Sequence, residues 1–198
     1  MSDNPGKPLR YWNRFTAPNG TWRTNPVTGL AEPPPGEDLA VLRRALSVPP
    51  GTSLPVWRLC SAPTDDRLAR IGQVTREQRA EHAALGLYGL HQQSQRSPMH
   101  KRGVSVGVAL RNLRNCGTYS EDAVDRRVNA AATATTTSVL VTRLRGLVTQ
   151  LRGQRLPLDY DLLLRDLMAF ERAAGRATVR ERWGAAYYGW RVPAKTTA

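Results

Sequence analysis

Arginine is the residue of this chain best equipped to do chemistry with a partner. The 198 residues hold 26 arginines, and Lys7, Lys101 and Lys195 complete the 29 basic residues against 16 acidic ones, a net charge of +13. A guanidinium presents a planar fork of donors that suits phosphate oxygens. An excess of basic residues therefore points to a polyanion, most simply nucleic acid. The preference for arginine over lysine carries little weight, because a GC-rich genome produces it. The shortage of acids carries more.

Catalytic groups are thin by comparison. His82, His91 and His100 recur every nine residues, which on a helix places His82 and His91 on opposite sides, so they cannot share a metal. His91 reads as a core or cap residue. Glu81-His82 lacks the second histidine of the zincin pattern. A nuclease needs clustered carboxylates for Mg²⁺. The basic region holds only Glu121, Asp122 and Asp125, which sit where acids offset the dipole of a helix N-terminus. Asp65-Asp66 and Asp159/Asp161 read as turn and cap residues. No glycine-rich phosphate loop occurs. Cys60 and Cys116 are too few for a disulfide framework, lack metal-site spacing and suit a reducing compartment. No metal or cofactor is expected, and no enzymatic activity.

The charge is internal to the chain. Residues 1–40 are neutral overall, residues 41–156 carry +11 and residues 157–198 carry +2. Within residues 91–155 there are 11 basic and 3 acidic residues. An ordinary solvated face mixes signs, because unmatched like charges repel. The excess must be displayed on folded elements, not on a basic tail.

Those elements read as helices. The first 55 residues carry 10 of the 14 prolines, so residues 1–36 form an irregular extension that Trp12, Phe15 and Trp22 could dock on a partner or on the protein's own core. From there the period is helical, over residues 37–47, 75–93, 104–115, 120–134, 137–153, 159–174 and from 178 onward. Thr75-Arg76-Glu77-Gln78 is a capping box, and Ser120, Thr137 and Asp159 are further caps. No stretch alternates long enough for a strand. The fold expected is an all-α bundle of about seven helices, spanning residues 37–192, with a tail at 193–198. No apolar run approaches the roughly 20 residues of a membrane span, and residues 1–10 lack a signal peptide's apolar stretch. A cytoplasmic protein without membrane contact is expected.

Helical angles sort the arginines. Arg44 lies far from its helix's leucine stripe and Arg43 at the edge. Arg111 points to solvent, while Arg114 flanks the core. Arg126 points outward, and Arg127 falls near the apolar face as a partly buried or snorkelling residue. Arg143 and Arg145 lie on opposite flanks, so one plane cannot use both. Arg96, Lys101 and Arg102 belong to a basic loop between two helices. Several phosphate contacts of this kind give steep salt dependence and little base preference.

The order of segments carries a resemblance. Leu42-Arg43-Arg44-Ala45 is followed by Leu85–His91 and by Val106-Gly107-Val108-Ala109-Leu110-Arg111-Asn112-Leu113. Asp125-Arg126-Arg127-Val128, Leu144-Arg145-Gly146-Leu147-Val148 and Leu158-Asp159-Tyr160 come next, then Leu164-Arg165-Asp166-Leu167, and finally Val179, Trp183 and Tyr187-Tyr188. Over about residues 38–190 this resembles the CasB family, the small subunit of the type I-E CRISPR Cascade surveillance complex. The resemblance implies an all-α protein without enzymatic activity or small-molecule substrate. It implies two copies lying against the backbone subunits and the large subunit. A basic face there helps hold crRNA, target strand and displaced non-target strand, stabilising the R-loop. Pairing reads sequence and protein reads backbone. Arg43 and Arg44 match the family's double arginine in the first helix. Arg111 and Arg114 fall in its Gly-x-Ala-Leu-like helix. Arg126 and Arg127 match a second double arginine, with Val128 where the family has an aromatic residue. The alternative is a free-standing all-α DNA-binding regulator, whose recognition helix would carry Arg111, Asn112 and Asn115.

Overall fold

The structure, a computed structural model, describes residues 8–189. Among them are ten helices and no strand. Three are short: α1 (Tyr11–Phe15), α3 (Leu54–Trp57) and α4 (Asp66–Arg70). The other seven are α2 (Gly36–Ala45), α5 (Arg76–Gln92), α6 (Val106–Arg114), α7 (Glu121–Ala132), α8 (Thr137–Gly153), α9 (Tyr160–Phe170) and α10 (Ala173–Tyr188). These seven correspond to the expected helices, and the bundle is all-α. The three short helices went unread because four or five residues show no period. Lys7, Lys195 and the expected tail at 193–198 lie outside the described residues.

Helix starts follow their caps. Thr75 and Gln78 form the reciprocal capping box of α5, and Ser105, Ser120 and Asp159 each accept a bond from the first turn they precede. The cap of α8 is Thr136 rather than Thr137, one step along a run of threonines that are equally able acceptors. The last helix starts at Ala173, not Thr178. Gly175 lies in the first turn of α10, where a side chain would strike the backbone of Ala169.

Helix α5 is the core element, buried over most of its length. It packs against α2, α8 and α9, while α10 packs on α6 and α9 and α7 packs on α8 and α6. Two faces of α5 are opposed. On one, Gly86 and Gly89 let α2 approach, with Leu46, Leu42 and the backbone of Arg43 in contact range. On the other, Tyr160 of α9 donates its hydroxyl to the Leu87 carbonyl and meets His91 Nδ1 at 3.0 Å.

The N-terminal segment docks on this core. Tyr11 and Trp12 are buried, and their rings pack against Tyr88 and Tyr160. Polar bonds fix the segment as well. Tyr11 donates to Asp38, the Trp12 indole donates to Asp161 at 2.8 Å, and Asn13 donates to the same carboxylate. Arg10 pairs with Glu77 and with Glu81, a fully buried carboxylate that also accepts from Ser61 and Ala62. A desolvated charge held this way is costly to strand.

Two outcomes are expected. A Cβ at Gly89 would lie 2.6 Å from Leu42 Cβ and 3.0 Å from the Arg43 nitrogen. Gly89→Ala should therefore destabilise by about 1–3 kcal/mol, read by urea unfolding. Burial pushes the enclosed His91 imidazole from 6.5 down to about 3. The unfolded chain then binds a proton that the folded one refuses. Stability is full above about pH 6.5 and falls as pH drops toward 3, by at most about 1.4 kcal/mol per unit. Comparing urea midpoints at neutral and acid pH, His91→Gln should show a shallower loss than the parent.

Candidate nucleic-acid interface

The charge on the surface depends on which acids are already engaged within the protein. Among the described residues Asp38, Glu77, Glu81, Glu121, Asp125, Asp166 and Glu171 are ion-paired. Asp65 and Asp159 cap helices, and Asp161 holds the N-terminal segment. Few carboxylates remain to offset the exposed arginines.

The structure sorts the ten sequence-predicted residues into three groups. Arg43 and Arg44 ride on α2, on the far side of α5 from α9. Arg44 is exposed and Arg43 half-buried. Arg96, Lys101 and Arg102 are exposed on the loop between α5 and α6. That loop is rigid: Gln92 bonds the backbone of Gln95, Ser97 and Met99, and residues 99–101 bridge to Leu158. The N-terminal segment crosses it, with Trp22 donating to the Arg96 carbonyl and Gly20 lying against the Lys101 methylenes. Arg111, Arg114, Arg126, Arg127 and Arg143 ride on α6, α7 and α8, which pack on one another.

Two of these differ from expectation. Arg114 is held by Glu121 at 2.6 Å and Asp125 at 3.0 Å. Its charge is offset by two carboxylates, and it joins α6 to α7. Tyr187 of α10 donates to the same Asp125. The Tyr187 hydroxyl and the Arg114 guanidinium hold that carboxyl below its ordinary value. Arg111 is half-buried, not solvent-facing, because α10 covers the side of α6 that the sequence left open. Its Nη1 comes within 2.9 Å of where a side chain at Gly189 would begin, at the negative end of α10. Arg127 is exposed, the snorkelling alternative, its long stem carrying the charge out from beside Val128. Arg44 and Arg126 are exposed as expected, Arg143 is exposed too, and none of the three has an ion pair among the described residues.

The residues missed lie at the far end of α8. Arg145 and Arg152 are seven positions apart, hence on one flank about 10 Å apart. Arg152 donates to Gln93 at 2.8 Å. Arg152 and Gln93, with Ser94, Gln95, Gly153 and Arg155, line a cleft of about 320 Å³ between the C-terminal ends of α5 and α8, and Arg145 lies two turns back from it. The seven-residue spacing was the one signal available.

Two other constellations do not fit catalysis. His100, Asp159 and Asp161 place donor atoms within 4.8 Å of one another. The Tyr160 amide donates to His100 Nδ1, so in the neutral ring Nε2 carries the proton and offers no lone pair to a metal. A groove of about 470 Å³ is lined by Trp57, Cys60, Gln78 and His82, among others. Burial pushes its Cys60 thiol up to about 12, and His82 is bonded to the backbone of Ala45 and Val48. Neither is poised as nucleophile or base. As a DNA-recognition helix α6 is obstructed: its N-terminal turn is buried, with Gly107 against the Trp183 carbonyl. Only Asn112 and Asn115 near its other end are exposed.

The clamp role of Arg114 has a direct test. Arg114→Ala should lower the urea midpoint and leave DNA affinity nearly unchanged, whereas Arg126→Ala should leave the midpoint unchanged and weaken DNA binding. Paired unfolding and fluorescence-anisotropy titrations read both.

Comparison with known proteins follows the fold. Comparison with curated sequences gives no match. Among solved structures, CasB from Thermobifida fusca is 31% identical with a TM-score of 0.59, over 77% of this chain and 84% of that one. CasB of M. ruber is 24% identical with a TM-score of 0.60, over 80% and 87%. A chain of a CRISPR RNA-guided surveillance complex shares the fold at 22% identity and a TM-score of 0.57, over 80% and 83%. The family model of CRISPR-associated protein Cse2 matches residues 38–188. This chain belongs to the CRISPR-associated Cse2 family.

Proposed function

We propose that this chain is the non-catalytic small subunit of a type I-E CRISPR Cascade surveillance complex. In this reading it works in the cytoplasm beside the backbone subunits, the large subunit and a second copy of itself. It binds crRNA, target strand and displaced non-target strand through their backbones and so stabilises the R-loop. The observation that carries this is the set of exposed arginines without acidic partners, Arg126, Arg127 and Arg143 on the α6–α8 assembly and Arg44 on α2. Family membership supports the assembly, and the likeness to a chain of a surveillance complex supports the fold it would have there.

Arginines on rigid helices contact phosphates without reading base edges. Binding is then independent of sequence and steeply dependent on salt. The loop residues Arg96, Lys101 and Arg102 add charge at the start of α6. The arrangement asks for no cofactor or metal, since its action is electrostatic stabilisation of a nucleic-acid state.

Arg44→Glu and Arg126→Glu are each expected to reduce R-loop formation at least several-fold while the multi-subunit complex still assembles. Gel shift of target DNA at low and moderate salt, with size-exclusion chromatography of the complex, reads both. Unchanged affinity in both variants at both salts overturns the reading.

A further inference from the structure

The cleft between the ends of α5 and α8 has a composition unlike the rest of the surface. Its lining is Gln93, Ser94, Gln95, Arg152, Gly153 and Arg155. Two guanidiniums and two side-chain amides face it, with a hydroxyl and no carboxylate. It lies at the carbonyl ends of two helices, where the backbone dipoles disfavour an anion. Arg152 answers part of that field, since its Nη1 reaches the Leu90 carbonyl as well as Gln93. Arg155 is exposed and has no partner among the described residues. The cleft is receptive to a negative group only because of these two side chains.

Its walls are unusual in backbone as well. Ser94 at φ 59° and Arg155 at φ 54° are the only non-glycine residues with positive φ among the described ones. Both sit on this cleft, one on each side. Each is the left-handed residue that follows a helix C-cap, and the bonds of Arg155 to the Arg152 carbonyl and of Leu156 to the Leu151 carbonyl close α8 there. The loops carrying them are fixed, one by the Gln92 side chain and the other by the Leu156 amide on the Leu151 carbonyl. A volume of about 320 Å³ is at the small end for ligand sites. It admits one nucleotide and excludes a duplex.

We propose that this cleft holds a single unstacked nucleotide of a nucleic-acid strand. Its phosphate lies between Arg152 and Arg155, and its base edge meets the amides of Gln93 and Gln95. Gln93 Oε1 already accepts from Arg152, which leaves its NH₂ free to donate to a base. Arg145, two turns earlier on the same flank of α8, meets a neighbouring phosphate and extends the site into a short track. Arg143, on the opposite flank, takes no part. This rests on the reading of the chain as a nucleic-acid-binding subunit and adds a site for single strand, distinct from the exposed arginines of α2 and α7.

The test uses the full-length protein with a single-stranded oligonucleotide carrying one 2-aminopurine, the same oligonucleotide as a duplex, and inorganic phosphate. Arg155→Glu is the main variant, since Arg155 holds no other group and keeps its backbone. Gln95→Ala is the second. The parent should raise 2-aminopurine emission of the single strand, as an unstacked base does. Arg155→Glu should abolish that rise and lower single-strand affinity several-fold. It should also reduce the slope of log K against log salt by about 0.7 for each lost contact. Duplex affinity should change much less. Gln95→Ala should reduce the emission change while leaving the salt slope intact. Equal losses on single strand and duplex, or competition by inorganic phosphate as strong as by a mononucleotide, would overturn the nucleotide site. If Arg155→Glu changes nothing while Arg126→Glu weakens binding, the cleft assignment fails and the functional reading stands. If neither weakens binding, both fail.

Discussion

Four carboxylates of this protein, Asp38, Glu81, Asp159 and Asp166, are buried and bound, and the rest of the molecule depends on them. Glu81 is fully enclosed and still satisfied, by Arg10 and by Ser61 and Ala62. Asp166 is enclosed as well, accepting from the Trp183 indole at 2.6 Å and pairing with Arg182. Burial raises the Asp166 carboxyl above its ordinary value even so. Buried carboxylates need such partners because taking a charge out of water costs several kcal/mol, on the order of what a domain's whole stability provides. Each one ties together segments distant in sequence. The same contacts leave the surface short of negative charge.

The second constraint is the burial of α5. A helix covered on most sides cannot carry the ligand-binding side chains itself. Those sit on the elements that cover it. Glycines at 86 and 89 bring α2 close on one face, and tyrosine chemistry locks α9 on the other. The arginines on α2 and those on α6–α8 are therefore separated by the core, at fixed spacing. An extended partner that touches both must follow the outside of the bundle. Rigid placement limits the entropy lost when phosphates are met, which favours positioned charge over a flexible basic tail.

Much of the fold could be read from the sequence because caps and stripes are local. The stripe Leu140, Leu144, Leu147, Val148 and Leu151 is buried in full, and Ser120 and Asp159 cap where they were expected to. The site was less legible, because an arginine's role depends on what comes to meet it. Arg114 finds Glu121 and Asp125 across a helix junction, and Arg111 is covered by a helix about 70 residues later. Arg152 meets Gln93, 59 positions away. No angle on a single helix contains that information. Nor does periodicity reveal that proline-rich residues would bury Tyr11 and Trp12. The aromatic residues were the only hint of it.

The bond from Trp12 to Asp161 spans 149 positions, and its consequence lies in how the chain is made. The N-terminal segment leaves the ribosome first, yet the carboxylate and the tyrosine that receive it are near the other end. At roughly 5–20 residues per second, Trp12 waits about 7–30 seconds for the α9 part of its site. Contacts of such long range also slow folding itself. The nascent protein thus carries a Trp12 whose seat is incomplete until α9 has emerged. The segment's many prolines disfavour its pairing as strands during that interval.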